Sequence, residues 1–286
     1  MLAQEVGRAP GRRPAEVLDP AGRDDREPVV EAHDVGVVDP EVALGSEGVE
    51  DDVLAVPVEA GHLAGFGWRL PPGVTIPHGV DDPPGTMEGS RLTLDVAGVI
   101  SRSEPYVLGL GRISWEKGFN RLIEAMPRAP GVRVVIAGGD AGQAAALAEQ
   151  ARALGVAERT TIIARHVDGP DKEALFAHAR AFAMTSLSEN FGLAAFEAMR
   201  RGLPVLAVPD VGMSEIVRDA DAGLVVGADP DSIGGALKRL IDDKAAARAM
   251  GERGRACVVA RYGWPAVASR MEEVYRAAVG NRGPRS

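Results

Sequence analysis

The sequence predicts an α/β protein built on a doubly wound parallel sheet, and two observations on the chain from Pro105 onward predict it. Short apolar runs, such as residues 106–110 and 132–137, are typical of strands that are buried on both faces. Segments with apolar residues at helical spacing lie between these runs. Strands that alternate with helices favour a parallel sheet with right-handed crossovers, in which ligands bind beyond the carboxyl ends of the strands.

The predicted strands are short apolar runs that end at glycine, at polar residues or at a following helical pattern. The run 132–137, for example, is followed by Gly138 and Gly139, and the run after Gly202 begins with Leu203. In chain order, strands are predicted at residues 106–110, 132–137, 160–163, 181–184, 203–207 and 223–226.

The predicted helices show apolar residues three and four positions apart, as Leu122, Ile123 and Met126 do in the first of them. Gly202 ends another of these helices, since glycine is typical of helix termini. In chain order, helices are predicted at residues 119–127, 141–154, 171–180, 191–201, 213–218, 230–242, 244–260 and 265–279. The folded region is therefore expected at 105–280, which is long enough to bury its own core.

The chain before Pro105 has a different character. No aromatic Phe, Trp or Tyr occurs up to Gly65, and prolines recur at short intervals. Few large apolar groups are present there to offset the entropy of ordering, so residues 1–73 are predicted to be poorly structured. Residues 74–104 are predicted to be a hinge and linker.

The composition limits which binding partners and which cellular compartment are expected. The net charge is -9, which argues against nucleic acid as a bulk partner. The single cysteine, Cys257, excludes an intrachain disulfide framework and fits a reducing cytosol, so we expect a cytoplasmic protein. No apolar run approaches the roughly 20 residues that span a bilayer, so no transmembrane segment is expected, and peripheral membrane contact stays open.

The stretch 186–205, SLSENFGLAAFEAMRRGLPV, carries the strongest chemical signal. It reads as a loop with Glu189, a helix that opens at Phe191 and Gly192, and Glu197 on that helix. A helix start leaves backbone N–H groups free at a positive dipole end, which suits an anion. Carboxylates on either side can accept hydrogen bonds from hydroxyls. This combination indicates a nucleotide-sugar site.

A second signal is the loop after the first predicted strand. Arg112 and Lys117 both lie there, beside Gly111 and Gly118. Two cations at the carboxyl end of a strand could clamp a diphosphate and stabilise negative charge on a leaving nucleotide. We therefore expect this loop to face the same ligand as Glu189 and Glu197.

These residues resemble a known family. The segment Glu189-Asn-Phe-Gly…Glu197-Ala-Met…Gly202-Leu-Pro-Val is similar to the Glu-x7-Glu signature of retaining GT-B glycosyltransferases, family 4 (group 1). The Gly-Arg…Lys-Gly pattern around Arg112 and Lys117 also resembles that family, where the Arg and Lys hold the diphosphate of the donor. The resemblance implies that residues 105–280 form the Rossmann-like C-terminal domain of a GT-B enzyme.

The resemblance further implies hexosyltransferase-type transfer of a sugar from a UDP-, GDP- or ADP-sugar, with retention at the anomeric carbon and without a cofactor or metal. Glu197 would bind the ribose, Glu189 the transferred sugar, and the loop after the third strand, with Arg165, His166 and Val167, would contact the base. The implied catalytic residues are Arg112, Lys117 and Glu189. The implied donor-binding residues are Gly111, His166, Val167, Asn190, Phe191, Gly192, Leu193 and Glu197.

Residues 74–81 resemble the hinge of this family, but the acceptor-binding N-terminal half that precedes it there is missing or replaced here. We expect a truncated or frame-shifted gene, with donor binding kept in part and efficient transfer lost. Three alternatives stay open: a nucleotide-sugar-binding subunit that borrows an acceptor half from a partner chain, a GT-B relative with other chemistry, and an inactive remnant. The acceptor, whether glycan, lipid or small molecule, is undetermined.

Overall fold

The computed structural model describes residues 74–85, 90–189 and 191–280. The prediction of a poorly structured segment at 1–73 lies outside the described residues, as does the predicted donor contact Asn190.

A six-stranded parallel sheet forms the centre of the described region, with strand order β3-β2-β1-β4-β5-β6. Its strands are β1 Tyr106–Leu110, β2 Arg133–Ala137, β3 Thr160–Ile163, β4 Ala179–Met184, β5 Val205–Ala207 and β6 Gly223–Val225. The strand order reverses direction between β1 and β4, and ligands bind at such a switch point in open α/β sheets. The predicted α/β class and the parallel sheet are confirmed.

Helices alternate with the strands along the chain. They are α1 Leu94–Ile100, α2 Phe119–Ala125, α3 Ala144–Ala153, α4 Gly169–His178, α5 Leu193–Arg200, α6 Ser214–Asp219, α7 Pro230–Asp242, α8 Lys244–Arg261 and α9 Trp264–Gly280. Three short 3-10 helices add Trp115–Lys117, Met126–Arg128 and Ala157–Arg159. The core lies between these helices and the sheet, where Tyr106, Phe182 and Phe196 are fully buried.

Helix α1 corrects the interpretation of residues 82–104 as a linker. Val96 and Val99 on α1 are buried, and α1 packs against α4 and β3. The helix has only two turns, so its apolar spacing is too short to predict it from the sequence. Other limits shift by up to three residues; for example, α4 ends at His178 because β4 begins at Ala179, and α5 begins at Leu193 rather than 191.

An ionic network around Arg165 fastens α1 to the domain. The Arg165 guanidinium donates to Asp95 on α1 at 2.8 and 2.9 Å and to Asp171 on α4 at 2.7 Å. The Thr93 hydroxyl and backbone N–H also donate to the Asp171 carboxylate, at 2.7 and 3.0 Å. Arg165, which we had expected near the base of a nucleotide, is therefore engaged in holding α1, α4 and the loop after β3 together.

This network predicts a loss of stability in acid. The hydrogen bond from Arg165 holds the pKa of Asp95 well below its ordinary value. Burial raises the pKa of Asp171, but hydrogen bonds from Thr93 and Arg165 outweigh it and lower that pKa overall. A carboxyl group whose pKa is lower in the folded chain than in the unfolded chain stabilises the fold at pH values above its unfolded pKa of about 3.9. This stabilisation is lost as the pH falls through the folded pKa.

We therefore expect the free energy of unfolding to fall steeply below about pH 4, measured by urea denaturation across pH 2 to 6. The Asp171→Asn variant is expected to be less stable at pH 6 and to show a flatter decline, because it has lost the titrating group. Asp242→Asn, in an exposed pair on α7, is the control. If the free energy of unfolding declines equally with falling pH in wild type and in Asp171→Asn, the role of the network is contradicted.

Candidate functional site

A cavity of about 290 Å³ opens at the carboxyl edge of the sheet, where the order of the strands reverses. It is formed by the ends of β1 and β4, the loops that follow them and the first turn of α5. The lining residues are Leu110, Gly111, Arg112, Lys117, Phe119, Phe182, Ala183, Met184, Ser186, Glu189, Gly192, Leu193 and Ala194. Six of the residues predicted from the sequence are thus brought together: Gly111, Arg112, Lys117, Glu189, Gly192 and Leu193.

The loop after β1 is held against the loop after β4. Gly118 ends the 3-10 helix Trp115–Lys117 in the left-handed conformation, with φ of 62°. The Thr185 hydroxyl donates to the Gly118 carbonyl at 2.9 Å, and the Leu187 N–H donates to the Glu116 carbonyl at 2.8 Å. A β-carbon at Gly118 would overlap the Thr185 carbonyl oxygen. Glycine at this position therefore lets the two loops approach and sets where Lys117 points.

Lys117 and Glu189 form an ion pair inside the cavity, with Lys117 Nζ donating to Glu189 Oε2. Their side chains are 24% and 16% exposed, so both charges are largely withdrawn from water. The Glu189 backbone is fixed as well, because its carbonyl accepts from the Gly212 N–H at 3.2 Å. The pair brings together a cation and a carboxylate that lie 72 residues apart in the chain.

Arg112 lies at the mouth of the cavity. Its side chain is 69% exposed and its guanidinium is 3.3 Å from Glu116 Oε1. Such an exposed i,i+4 pair is worth little, so the guanidinium is free to reorient toward an anion. Arg112 and Lys117 thus supply one mobile and one fixed positive charge to the same cavity.

The first turn of α5 contributes polar backbone groups to the cavity and no polar side chains. Gly192, at φ of 79°, caps the helix, and Gly192, Leu193 and Ala194 line the cavity. The Phe191 side chain instead stacks on Phe196 with ring centroids 4.3 Å apart, and it also approaches Tyr262. Phe191 is therefore not a lining residue; its ring packs against the following helix and orients the start of α5.

Glu197 is not among the residues that line the cavity. It accepts a hydrogen bond from Lys172 Nζ of α4 at 2.8 Å, and its side chain is 20% exposed. It lies three and four positions after Ala194 and Leu193, and therefore on the same face of α5 as these two lining residues. Of the four charged residues predicted to face one ligand, three line the cavity. The fourth, Glu197, lies one helical turn further along α5.

His166 and Val167 also lie outside the cavity lining. The His166 side chain is 83% exposed, whereas Val167 is buried. Both belong to the loop between β3 and α4, and Lys172 follows in the first turn of α4. Lys172 is the charged residue that sequence reasoning missed, because a lone lysine on a helix carries no motif. The ion pair of Lys172 with Glu197 joins the start of α4, which follows this loop, to α5.

Within residues 74–85, 90–189 and 191–280, no three His, Cys, Asp or Glu side chains are grouped as metal ligands would be. None of the helices in this part of the chain is both long and apolar enough to cross a membrane.

Comparison with known proteins gives consistent matches. The family described as Glycosyl transferases group 1 matches residues 93–256. The chain is 33% identical over 204 residues to D-inositol 3-phosphate glycosyltransferase of Mycobacterium marinum, covering 69% of this chain and 43% of that protein. The chain thus spans less than half the length of this curated relative.

Solved structures share the fold. Sucrose-phosphate synthase from Thermosynechococcus elongatus superposes with a TM-score of 0.63 at 27% identity, over 78% of this chain and 57% of that one. Anabaena HepE in complex with UDP and glucose gives a TM-score of 0.57 at 22% identity, over 64% of this chain and 52% of that one.

Proposed function

The chain belongs to the glycosyl transferases group 1 family, and on that premise we propose that it binds a nucleoside diphosphate sugar and transfers the sugar with retention of configuration. One observation carries the proposal: Arg112, Lys117 and Glu189 line a single cavity with the first turn of α5. Opposite charges beside free backbone N–H groups are what a sugar diphosphate requires, since one end is anionic and the other carries hydroxyls.

The diphosphate would lie between the loop after β1 and the start of α5. Without ligand, Lys117 is neutralised by Glu189. On binding, Lys117 Nζ would turn one or more of its N–H groups to a phosphate oxygen, and Arg112 would swing in from solvent. Charge-assisted bonds of this kind are short and strong in a site withdrawn from water.

Catalysis would follow from the same contacts. As the bond from the anomeric carbon to the phosphate oxygen breaks, an acceptor hydroxyl oxygen would bond to the same face of that carbon and give its proton to the leaving phosphate, on which negative charge grows. Lys117, Arg112 and the N–H groups of α5 would stabilise this charge where it develops, which lowers the barrier more than it favours the ground state. Glu189, released from Lys117 in part, would accept hydrogen bonds from hydroxyls of a transferred hexose and hold it in place.

The nucleoside would extend along α5 past Ala194 to Glu197, which would accept hydrogen bonds from the ribose hydroxyls. The base would then meet the loop that holds His166 and Val167. The position of Glu197 on the face of α5 that lines the cavity supports this path. UDP is the first nucleotide to test because it is bound in the HepE structure, and GDP and ADP are the alternatives.

A second candidate function is donor binding without efficient transfer. It is favoured by one observation, that the residues brought together in the cavity account for donor binding alone. In that case the acceptor, a glycan, a lipid or a small molecule, would be recognised on a partner chain.

Titration calorimetry of the whole chain with UDP-glucose, GDP-mannose and ADP-glucose tests the proposal, together with an assay for released nucleoside diphosphate. We expect one nucleotide class to bind with 1:1 stoichiometry. Binding with turnover supports the transferase, and binding without turnover supports the second candidate. No binding of any of the three would contradict both.

Replacing Glu197 with glutamine is expected to weaken binding of the free nucleoside and of the nucleoside diphosphate equally, by about tenfold to a hundredfold, since a hydrogen bond to a charged group contributes roughly 1.5–3 kcal/mol. Glu149→Gln, in an exposed pair with Arg152 on α3, is the matched control and should change neither. If only the diphosphate loses affinity, Glu197 does not bind the ribose.

A further inference from the structure

Two ion pairs of opposite polarity join α4 to α5. Lys172 Nζ, in the first turn of α4, donates to Glu197 Oε1 on α5 at 2.8 Å. The next residue along α4, Glu173, accepts hydrogen bonds from Arg201, just past the end of α5, at 2.5 and 2.8 Å. Glu197 and Arg201 are four positions apart and therefore lie on the same side of α5. Each helix thus contributes one charge of each sign to the junction.

The pair of Glu173 and Arg201 accounts for the connection between the two helices by itself. The Arg201 guanidinium engages both Glu173 oxygens and lies 4.7 Å from the centroid of the Phe176 ring. It also donates to the backbone carbonyl of Glu197 at 2.9 Å. The junction and the backbone of Glu197 are therefore held in place without any contribution from Lys172.

The pair of Lys172 and Glu197 is the more open of the two and lies closer to the cavity. Its side chains are 27% and 20% exposed, against 11% and 14% in the other pair. Glu197 lies about 6 Å along α5 from Leu193 of the cavity lining. Within the described part of the chain its carboxylate accepts one hydrogen bond, from Lys172. A carboxylate can accept about four, so the other positions are open to hydroxyls of a ligand.

We propose that Lys172 is a positioning residue for Glu197, which it holds by Oε1 so that the remaining acceptor positions face the 2′- and 3′-hydroxyls of the ribose. The inference rests on the function proposed above and deepens it, because it gives the site a preference for ribonucleotides over 2′-deoxyribonucleotides. An unpaired glutamate would lose side-chain entropy when it binds a hydroxyl, whereas the paired one is already ordered. Lys172 also balances a negative charge that would repel the nearby diphosphate.

The ribose preference, defined as the dissociation constant of 2′-deoxy-UDP divided by that of UDP, tests the inference. Titration calorimetry of the whole chain gives both constants, and GDP or ADP with its deoxy form replaces UDP if that nucleotide binds. We expect a preference of about tenfold in wild type, from the hydrogen bond of the 2′-hydroxyl to a charged carboxylate.

Replacing Lys172 with methionine should weaken the binding of both nucleotides, because the Glu197 charge is no longer balanced. The preference should fall to about threefold or less, because the carboxylate is no longer oriented and UDP loses more affinity than its deoxy form. A merely structural role of Lys172 would weaken both nucleotides equally and leave the preference as it is in wild type.

Three further variants complete the test. Lys172→Arg keeps a cation that can donate to the carboxylate and should restore most of the preference. Glu173→Gln breaks the other pair between the same two helices and should keep the preference of wild type. In a Glu197→Gln background, Lys172→Met should change the preference no further, since no carboxylate is left to orient.

The outcomes separate this inference from the function on which it rests. If Glu197→Gln loses the preference and Lys172→Met keeps it, Glu197 binds the ribose without Lys172, and this inference alone is overturned. An equal loss of preference in Glu173→Gln would also overturn it, because any break between the helices would then have the same effect. If Glu197→Gln keeps the preference, or if wild type shows no preference or binds no nucleotide, the proposed ribose contact is wrong and the inference falls with it.

Discussion

Replacing Lys117 with alanine is expected to weaken the binding of a nucleoside diphosphate sugar by about tenfold to a hundredfold, a loss of roughly 1.5–3 kcal/mol. Two effects act in the same direction. The diphosphate loses a charge-assisted hydrogen bond, and Glu189, only 16% exposed, is left as an unpaired carboxylate beside it. Titration calorimetry measures this change directly, and Lys238→Ala in an exposed pair on α7 is the control.

A double variant separates the effect of the unpaired Glu189 carboxylate from the loss of the hydrogen bond to the diphosphate. In Lys117→Ala with Glu189→Gln, the unpaired carboxylate is gone, so UDP should regain part of the affinity lost in the single variant. The single variant Glu189→Gln should bind UDP at least as well as wild type, because Lys117 is no longer neutralised, yet bind the UDP-sugar less well. If Lys117→Ala binds the donor as wild type does, Lys117 does not hold the diphosphate.

Replacing Gly118 with alanine is expected to lower the free energy of unfolding by about 3 kcal/mol and to abolish donor binding. Its φ of 62° is unfavourable for alanine, and the added β-carbon would overlap the Thr185 carbonyl oxygen. Because that contact joins the loops after β1 and β4, relieving it would move Lys117 away from Glu189. Urea denaturation and donor titration measure the two losses.

Gly131→Ala is the matched control for Gly118→Ala. Gly131 also has a positive φ, of 80°, but a β-carbon there meets no other atom within 4 Å. Only the backbone strain is introduced, so we expect a loss of about 1 kcal/mol and normal donor binding. Equal losses in the two variants would show that the approach of the two loops does not matter for stability.

The parallel sheet was predictable because each strand contains a short run of apolar or β-branched residues, and these runs alternate along the chain with segments of helical spacing. Helix α1 was not predictable, since two turns give too little pattern and its ties to the domain come from Asp171 and Arg165, more than 60 residues away. Arg165 itself was expected near a nucleotide base. A sequence shows that an arginine is present but not which carboxylates its guanidinium will meet.

The candidate site was predictable to a similar extent. The sequence places Gly111, Arg112, Lys117 and Glu189 after the carboxyl ends of β1 and β4, and adjacent strands bring these ends together. It does not show that Lys117 and Glu189 pair with each other, or that Lys172 pairs with Glu197 one turn beyond the cavity. Both pairings depend on side-chain directions, which helical periodicity does not determine.

A crystal structure of the chain with the nucleoside diphosphate sugar that binds in titration tests the central claim most directly. The account predicts that the diphosphate lies in the cavity at the carboxyl edge of the sheet, with its oxygens within hydrogen-bonding distance of Lys117 Nζ and of the first N–H groups of α5. A diphosphate held elsewhere, with Lys117 still paired to Glu189, would contradict it.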